Sequence, residues 1–114
     1  FYGCLKPAAD IFYDREAFYD RTDSSVRLTF DSNVLARGWD LELENGIYGE
    51  RVLENGLYIL EVKTSGAMPM WIAEMLNEFK IYPTSFSKYG TAHKNGLLTR
   101  ENKKIITLGG EYCA

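Results

Sequence analysis

The chain has 114 residues, 46% of them hydrophobic and 25% charged, with a formal net charge of −3. That length sets one domain as the ceiling and is enough to bury a core, while the acidic balance argues against a general nucleic-acid binder. No apolar run approaches the roughly 20 residues that span a bilayer, and no basic-then-apolar leader opens the chain, so no membrane segment is expected here.

The opening FYGCLKPAAD reads as the interior of a longer protein. Cys4 and Cys113 stand at opposite ends; they could form one disulfide, and are read in preference as a reduced pair in a cytoplasmic protein. A lone His93 cannot build a His-rich metal site and is expected at the surface.

Residues 9–20, ADIFYDREAFYD, carry the aromatics and isoleucine that favour strands. DRTDSS at 20–25 is a polar turn, and VRLTFD at 26–31 alternates apolar and polar. The two runs predict an antiparallel hairpin. LENG occurs at 43–46 and again at 53–56. Two copies this short are no solenoid; each Asn-Gly is a turn former, and they bracket a short extended piece, IYGERVL.

LYILEVKT at 57–64 is the strongest strand pattern. Beyond Ser65-Gly66 the period changes. Pro69 suits a first helical turn, and Ile72, Met75, Leu76 and Phe79 form a stripe, predicting one amphipathic helix over 68–79. Met70 and Trp71 are expected to add to the core. A last strand is expected over about 81–89, and residues 93–114 are read as a tail whose basic run is a solvated segment.

Face arithmetic raises the functional question. Tyr13 and Arg15 share one face of the first strand, about 7 Å apart. Arg27 shares a face with Thr29 and Asp31, and Glu61 shares one with Lys63. Each strand thus pairs an apolar face with one that bears isolated charges. A sheet with one wet side explains this without any function. A polar lumen explains it with one: Arg and Lys would hold phosphate, and a carboxylate would hold a hard cation. Periodicity does not choose. No P-loop, GxGxxG, HExxH, CxxC or nucleophile elbow competes.

IFYDREAF, VRLTFD, YILEVKTSGAMPMWI and SFSKYG, in that order over residues 5–92, resemble the C-terminal half of the VTC domain. This is the polyphosphate polymerase domain of the vacuolar transporter chaperone complex and its bacterial relatives, within the CYTH-like triphosphate tunnel metalloenzymes. The resemblance implies an α+β fold: an antiparallel, tunnel-like sheet with the one helix, residues 1–92 forming the C-terminal half of the domain and 93–114 a tail. It implies transfer of the terminal phosphoryl group of ATP to a growing polyphosphate chain, with Mn²⁺ or Mg²⁺ as cofactor. A triphosphate hydrolase of the same fold and a non-catalytic polyphosphate-binding module are the alternatives. By position, Tyr13, Arg15, Arg27, Ser87 and Lys88 would bind the substrate and Glu61 the metal; Lys63, on the face of Glu61, would join the substrate ligands. One mismatch stands out: adjacent Ser87 and Lys88 point to opposite faces of a regular strand, so either a bulge brings both to the ligand or only one reaches it. Without the family's N-terminal half the sheet is expected to stay open, associating through its edges with that half or with a second copy.

Overall fold

The computed structural model of the chain describes residues 3–98. Among these residues the fold is α+β, a four-stranded antiparallel sheet with two α-helices. The strands are β1 (Asp10–Tyr19), β2 (Arg27–Arg37), β3 (Glu50–Arg51) and β4 (Ile59–Lys63). The helices are α1 (Met70–Glu78) and α2 (Lys88–Lys94). β2 lies at the centre: β1 runs along one side, while β4 and β3 pair with it on the other. Among the described residues no strand covers the outer edge of β1, so the sheet is open, as expected.

The β1–β2 hairpin is closed by side chains as well as backbone. The Asp20 carboxylate accepts from the Thr22 N–H at 2.8 Å, and Asp23 repeats the arrangement with Ser25 at 3.0 Å. These are Asx turns, which reverse the chain without a glycine. The Thr22 backbone N–H also holds the Asp20 carboxyl below the usual carboxylate range.

From Tyr19↔Arg27 to Asp14↔Ser32 the register is regular, and it then shifts by one residue on β2 before resuming at Phe12↔Leu35. Asn33 sits in this bulge with φ of 52°. Asn tolerates that left-handed conformation better than most residues, and its amide donates to the Asp14 carboxylate at 2.8 Å. Because one extra residue reverses the alternation, Arg27, Thr29 and Asp31 share a face with Val34 and Ala36. Arg37 is sent to the other face, opposite Asp10.

There Arg37 is fully buried and organises the loop that follows. Its guanidinium donates to the carbonyls of Asp40, Gly46, Tyr48 and Glu42 at 2.8–3.3 Å. Asp10 Oδ2 lies 3.0 Å from Nη2, close enough to pair charges though outside hydrogen-bond geometry. The rings of Phe12 and Tyr48 lie against the same guanidinium, and Tyr48 and Asn45 donate to Asp40. The two LENG segments are turns, with Gly46 at φ 98° and Gly56 at φ 88° supplying conformations that side chains disfavour.

The buried apolar residues are Val26, Val34, Ala36, Ile72 and Ala92. α1 buries Ile72 and half-buries Met75 and Leu76, as its stripe predicts, while Phe79 at its end is 65% exposed. Met70 and Trp71 are corrected from core to surface, at 72% and 46% exposed, because the stripe that α1 buries runs through Ile72, Met75 and Leu76 and leaves them beside it. The helix closes with Lys80 at φ 56° and Ile81 N–H donating to the Leu76 carbonyl at 2.8 Å.

The expected last strand is also corrected. Residues 81–87 form no regular element, and 88–94 are helical. Ser87 ends the extended run as the N-cap of α2, its hydroxyl accepting from Gly90 N–H at 3.0 Å. His93 is exposed in the last turn of that helix, beside Lys94. Cys4 is disulfide-bonded, which corrects its reading as a reduced thiol; Cys113 lies outside the described residues. Most of the predicted tail, 99–114, lies outside the described residues. Residues 95–97 are tied back onto α2 by backbone hydrogen bonds. No helix among the described residues is long and apolar enough to cross a membrane.

Candidate functional site

The site is built on the face of the sheet that holds Thr29 and Asp31. Register places the side chains. Arg15 on β1 pairs with Asp31 on β2, which pairs on its other side with Ile59 of β4. One step along, Thr29 lies between Ala17 and Glu61; a further step puts Arg27 between Tyr19 and Lys63. Directly opposed residues of an antiparallel sheet share a face. Arg15, Arg27, Lys63 and Glu61 therefore all stand on one side.

The helix completes the group. Lys88, the first residue of α2, reaches down to Asp31, with Nζ 2.7 Å from Oδ2. Arg15 approaches the same carboxylate from β1, with Nε 2.7 Å from Oδ1 and Nη2 2.8 Å from Oδ2. Tyr13 underlies both cations: its ring centroid is 4.3 Å from Lys88 Nζ and 5.1 Å from Arg15 Cζ. Asp31 itself is 1% exposed. Its hydrogen bond from Arg15, then that from Lys88, outweighs burial and holds its carboxyl down at about 2. The Arg15 guanidinium is correspondingly pushed above its ordinary value, chiefly by the hydrogen bond to Asp31.

The second half of the site is less satisfied. Arg27 and Lys63 are directly opposed like charges, a destabilising pair in a sheet, and neither forms an ion pair among the described residues. Arg27 Nε and Thr29 Oγ1 are buried without a hydrogen-bond partner among those residues. Buried polar atoms without partners are rare and call for a ligand or an ordered water. Glu61 is exposed beside them. Four cations and two carboxylates thus share this face, and the surplus is positive although the chain is acidic overall.

Of the seven residues named from sequence, Arg15 and Lys88 meet through Asp31, and both lie over the Tyr13 ring. Arg27, Lys63 and Glu61 lie alongside on the same face. Ser87 stands apart in role: its oxygen already accepts a helix N–H, and the Ser87–Lys88 mismatch disappears because the pair is a helix cap and first turn, not a strand. Asp31 was the residue missing from the expected ligands. Its signal was its place on the face of Arg27.

No group of three or more His, Cys, Asp or Glu side chains among the described residues is arranged to hold a metal. Asp31 is committed to two cations, which leaves Glu61 as the carboxylate open to one. That suits a small hard cation, which binds through one or two carboxylates and completes its shell with water and phosphate oxygens.

The geometry defines an α+β protein with a cation-lined face on an open antiparallel sheet. The family model of the VTC domain matches residues 3–95, most of the chain, and the chain belongs to that family. Membership ties it to polyphosphate-related function in a family that is generally metal-dependent. No curated protein and no solved structure matches it.

Proposed function

We propose that this chain supplies part of the phosphate-holding surface of a polyphosphate polymerase, which transfers the terminal phosphoryl group of ATP to the end of a polyphosphate chain. The observation that carries the reading is the unmatched half of the face. Arg27 and Lys63 oppose each other with no carboxylate between them, and an anion is the physical remedy.

Arg15, Arg27, Lys63 and Lys88 hold phosphate oxygens in this reading. The Tyr13 and Ser87 hydroxyls donate to them; Ser87 keeps its O–H for this while its oxygen caps α2. Glu61, the chain's metal ligand, would hold Mn²⁺ or Mg²⁺, which when bound would supply charge neutralisation. The protein's own work is positioning and electrostatics, because phosphoryl transfer asks for little covalent chemistry from side chains.

The test is an assay of the intact protein with radiolabelled ATP and product sizing, with and without Mn²⁺ or Mg²⁺. Metal-dependent long chains are expected. Release of inorganic phosphate alone would make it a triphosphate hydrolase, and tripolyphosphate binding without turnover a binding module. No binding would leave the cations as an ordinary wet sheet face. Glu61→Gln should abolish metal-dependent turnover and keep most of the tripolyphosphate binding.

A further inference from the structure

We infer that Asp31 is a positioning residue, which fixes the Arg15 guanidinium and the Lys88 ammonium so that their remaining donors address one phosphate group. This rests on the reading of the face as a phosphate site. A carboxylate buried in an anion site is at first sight a fault, since it repels the ligand. The donor arithmetic shows what it does instead.

A guanidinium has five N–H donors on two usable edges. Asp31 occupies the side edge of Arg15, taking Nε and Nη2 with its two oxygens at 2.7 and 2.8 Å. That bidentate grip fixes the plane of the group. The end edge, Nη1 with the second proton of Nη2, is left over, and Nη1 has no hydrogen-bond partner among the described residues. Arg15 keeps 32% of its side chain exposed, whereas Asp31 keeps 2%. The carboxylate is thus beneath the cations, and they lie between it and solvent. Lys88 spends one ammonium proton on Oδ2 and keeps two. Tyr13 closes the other flank of both. Two flexible side chains, one from a strand and one from a helix, are held at a single spacing before any ligand arrives. The ordering entropy of two long side chains is then met on folding and not again on binding.

The inference predicts the opposite sign from simple electrostatics. Asp31→Asn makes the face one charge more positive, so charge alone predicts tighter polyanion binding. Positioning predicts weaker binding, by about tenfold, the scale of one charge-assisted hydrogen bond. Tripolyphosphate binding to the intact protein, followed by calorimetry, decides between them. In an Arg15→Ala/Lys88→Ala background Asp31 has nothing to position, and the same change should no longer weaken binding. A merely structural loss would persist there. The Arg15 Nε–H NMR signal should exchange slowly in the wild type and quickly in Asp31→Asn. If Asp31→Asn does not fold, Asp31→Glu keeps the charge and displaces the carboxylate by one methylene; it should still lose affinity several-fold. Unchanged or tighter binding by the folded variant overturns the inference alone. A wild type that binds no tripolyphosphate overturns the proposed function, and this inference with it.

Discussion

Arg15 and Arg37 are both β-strand arginines facing an aspartate across the same strand pair, yet they are opposite kinds of residue. Arg37 is sealed, and its guanidinium is spent on four carbonyls and Asp10. Arg15 gives its aspartate one edge and keeps the other toward solvent. Both carry aromatic rings against the cation. The difference is donor accounting: a cation with every N–H engaged inside the protein is architecture, and one with a spare edge is available to a ligand. Charge, strand position and aromatic neighbours do not separate the two cases.

The largest way to break that comparison is Arg37→Ala. It would strand the loop carbonyls and Asp10, and should cost about 3–5 kcal/mol of stability in urea denaturation, the range for removing one partner of a buried charge pair. Arg37→Lys should rescue little, since an ammonium has three donors and no planar fork. If either variant kept wild-type stability, the residue would not be the organiser of the 38–48 loop.

On the ligand side, Arg27→Ala should weaken tripolyphosphate binding by about 1.5–3 kcal/mol, the range for a hydrogen bond to a charged group. Stability should not fall, because the change also relieves the repulsion from Lys63. A stability loss with unchanged affinity would put Arg27 in the class of Arg37.

Acid sharpens the role of Asp31. Its carboxyl is lowered from 3.8 to about 2 in the folded protein, so between those values the unfolded chain binds more protons. Its contribution to stability is therefore complete above the unfolded value and lost as pH falls through about 2, with a slope of at most about 1.4 kcal/mol per pH unit. The urea midpoint of Asp31→Asn should fall less steeply than wild type over that window. Parallel curves would mean that Asp31 titrates normally.

The smallest effect is expected from Ser87→Ala. Losing the cap of α2 should cost about 1 kcal/mol in the same denaturation measurement. A larger loss in tripolyphosphate affinity than in stability would show that its O–H also reaches the ligand.

Much of this was legible because it depends on a period of two. The hairpin, β4 and the shared face of Arg27, Thr29 and Asp31 follow from alternation, and α1 follows from its stripe. What failed was local. The aromatic run before Ser87 looks like a strand, but a serine followed three residues later by a free backbone N–H is also a cap, and the cap won. Gly90 inside α2 hid the helix further, since glycine is a poor helix former. Arg37 could not be separated from Arg27 by alternation, because the register shift at Asn33 depends on a backbone conformation that composition does not announce. Asp31 was seen on the right face. Its role was not, because the Lys that completes it arrives from 57 residues later, by tertiary contact with no periodic signature.

The bulge at Asn33 has a consequence for how this sequence can change over time. Asn33 is a spare residue in the strand. Without it Val34 would stand two places after Asp31, so Val34 and Ala36 would keep their face and Arg37 would keep the other. A residue at 33 that forced the strand to run straight at its present length would do the reverse. Alternation would then carry Arg37 onto the face of Arg27 and Asp31 and turn Val34 and Ala36 away, and the loop carbonyls would lose their organiser. A lineage can therefore lose a codon here at less risk than it can straighten the bulge. The slack in the strand is where its spatial reading frame is set.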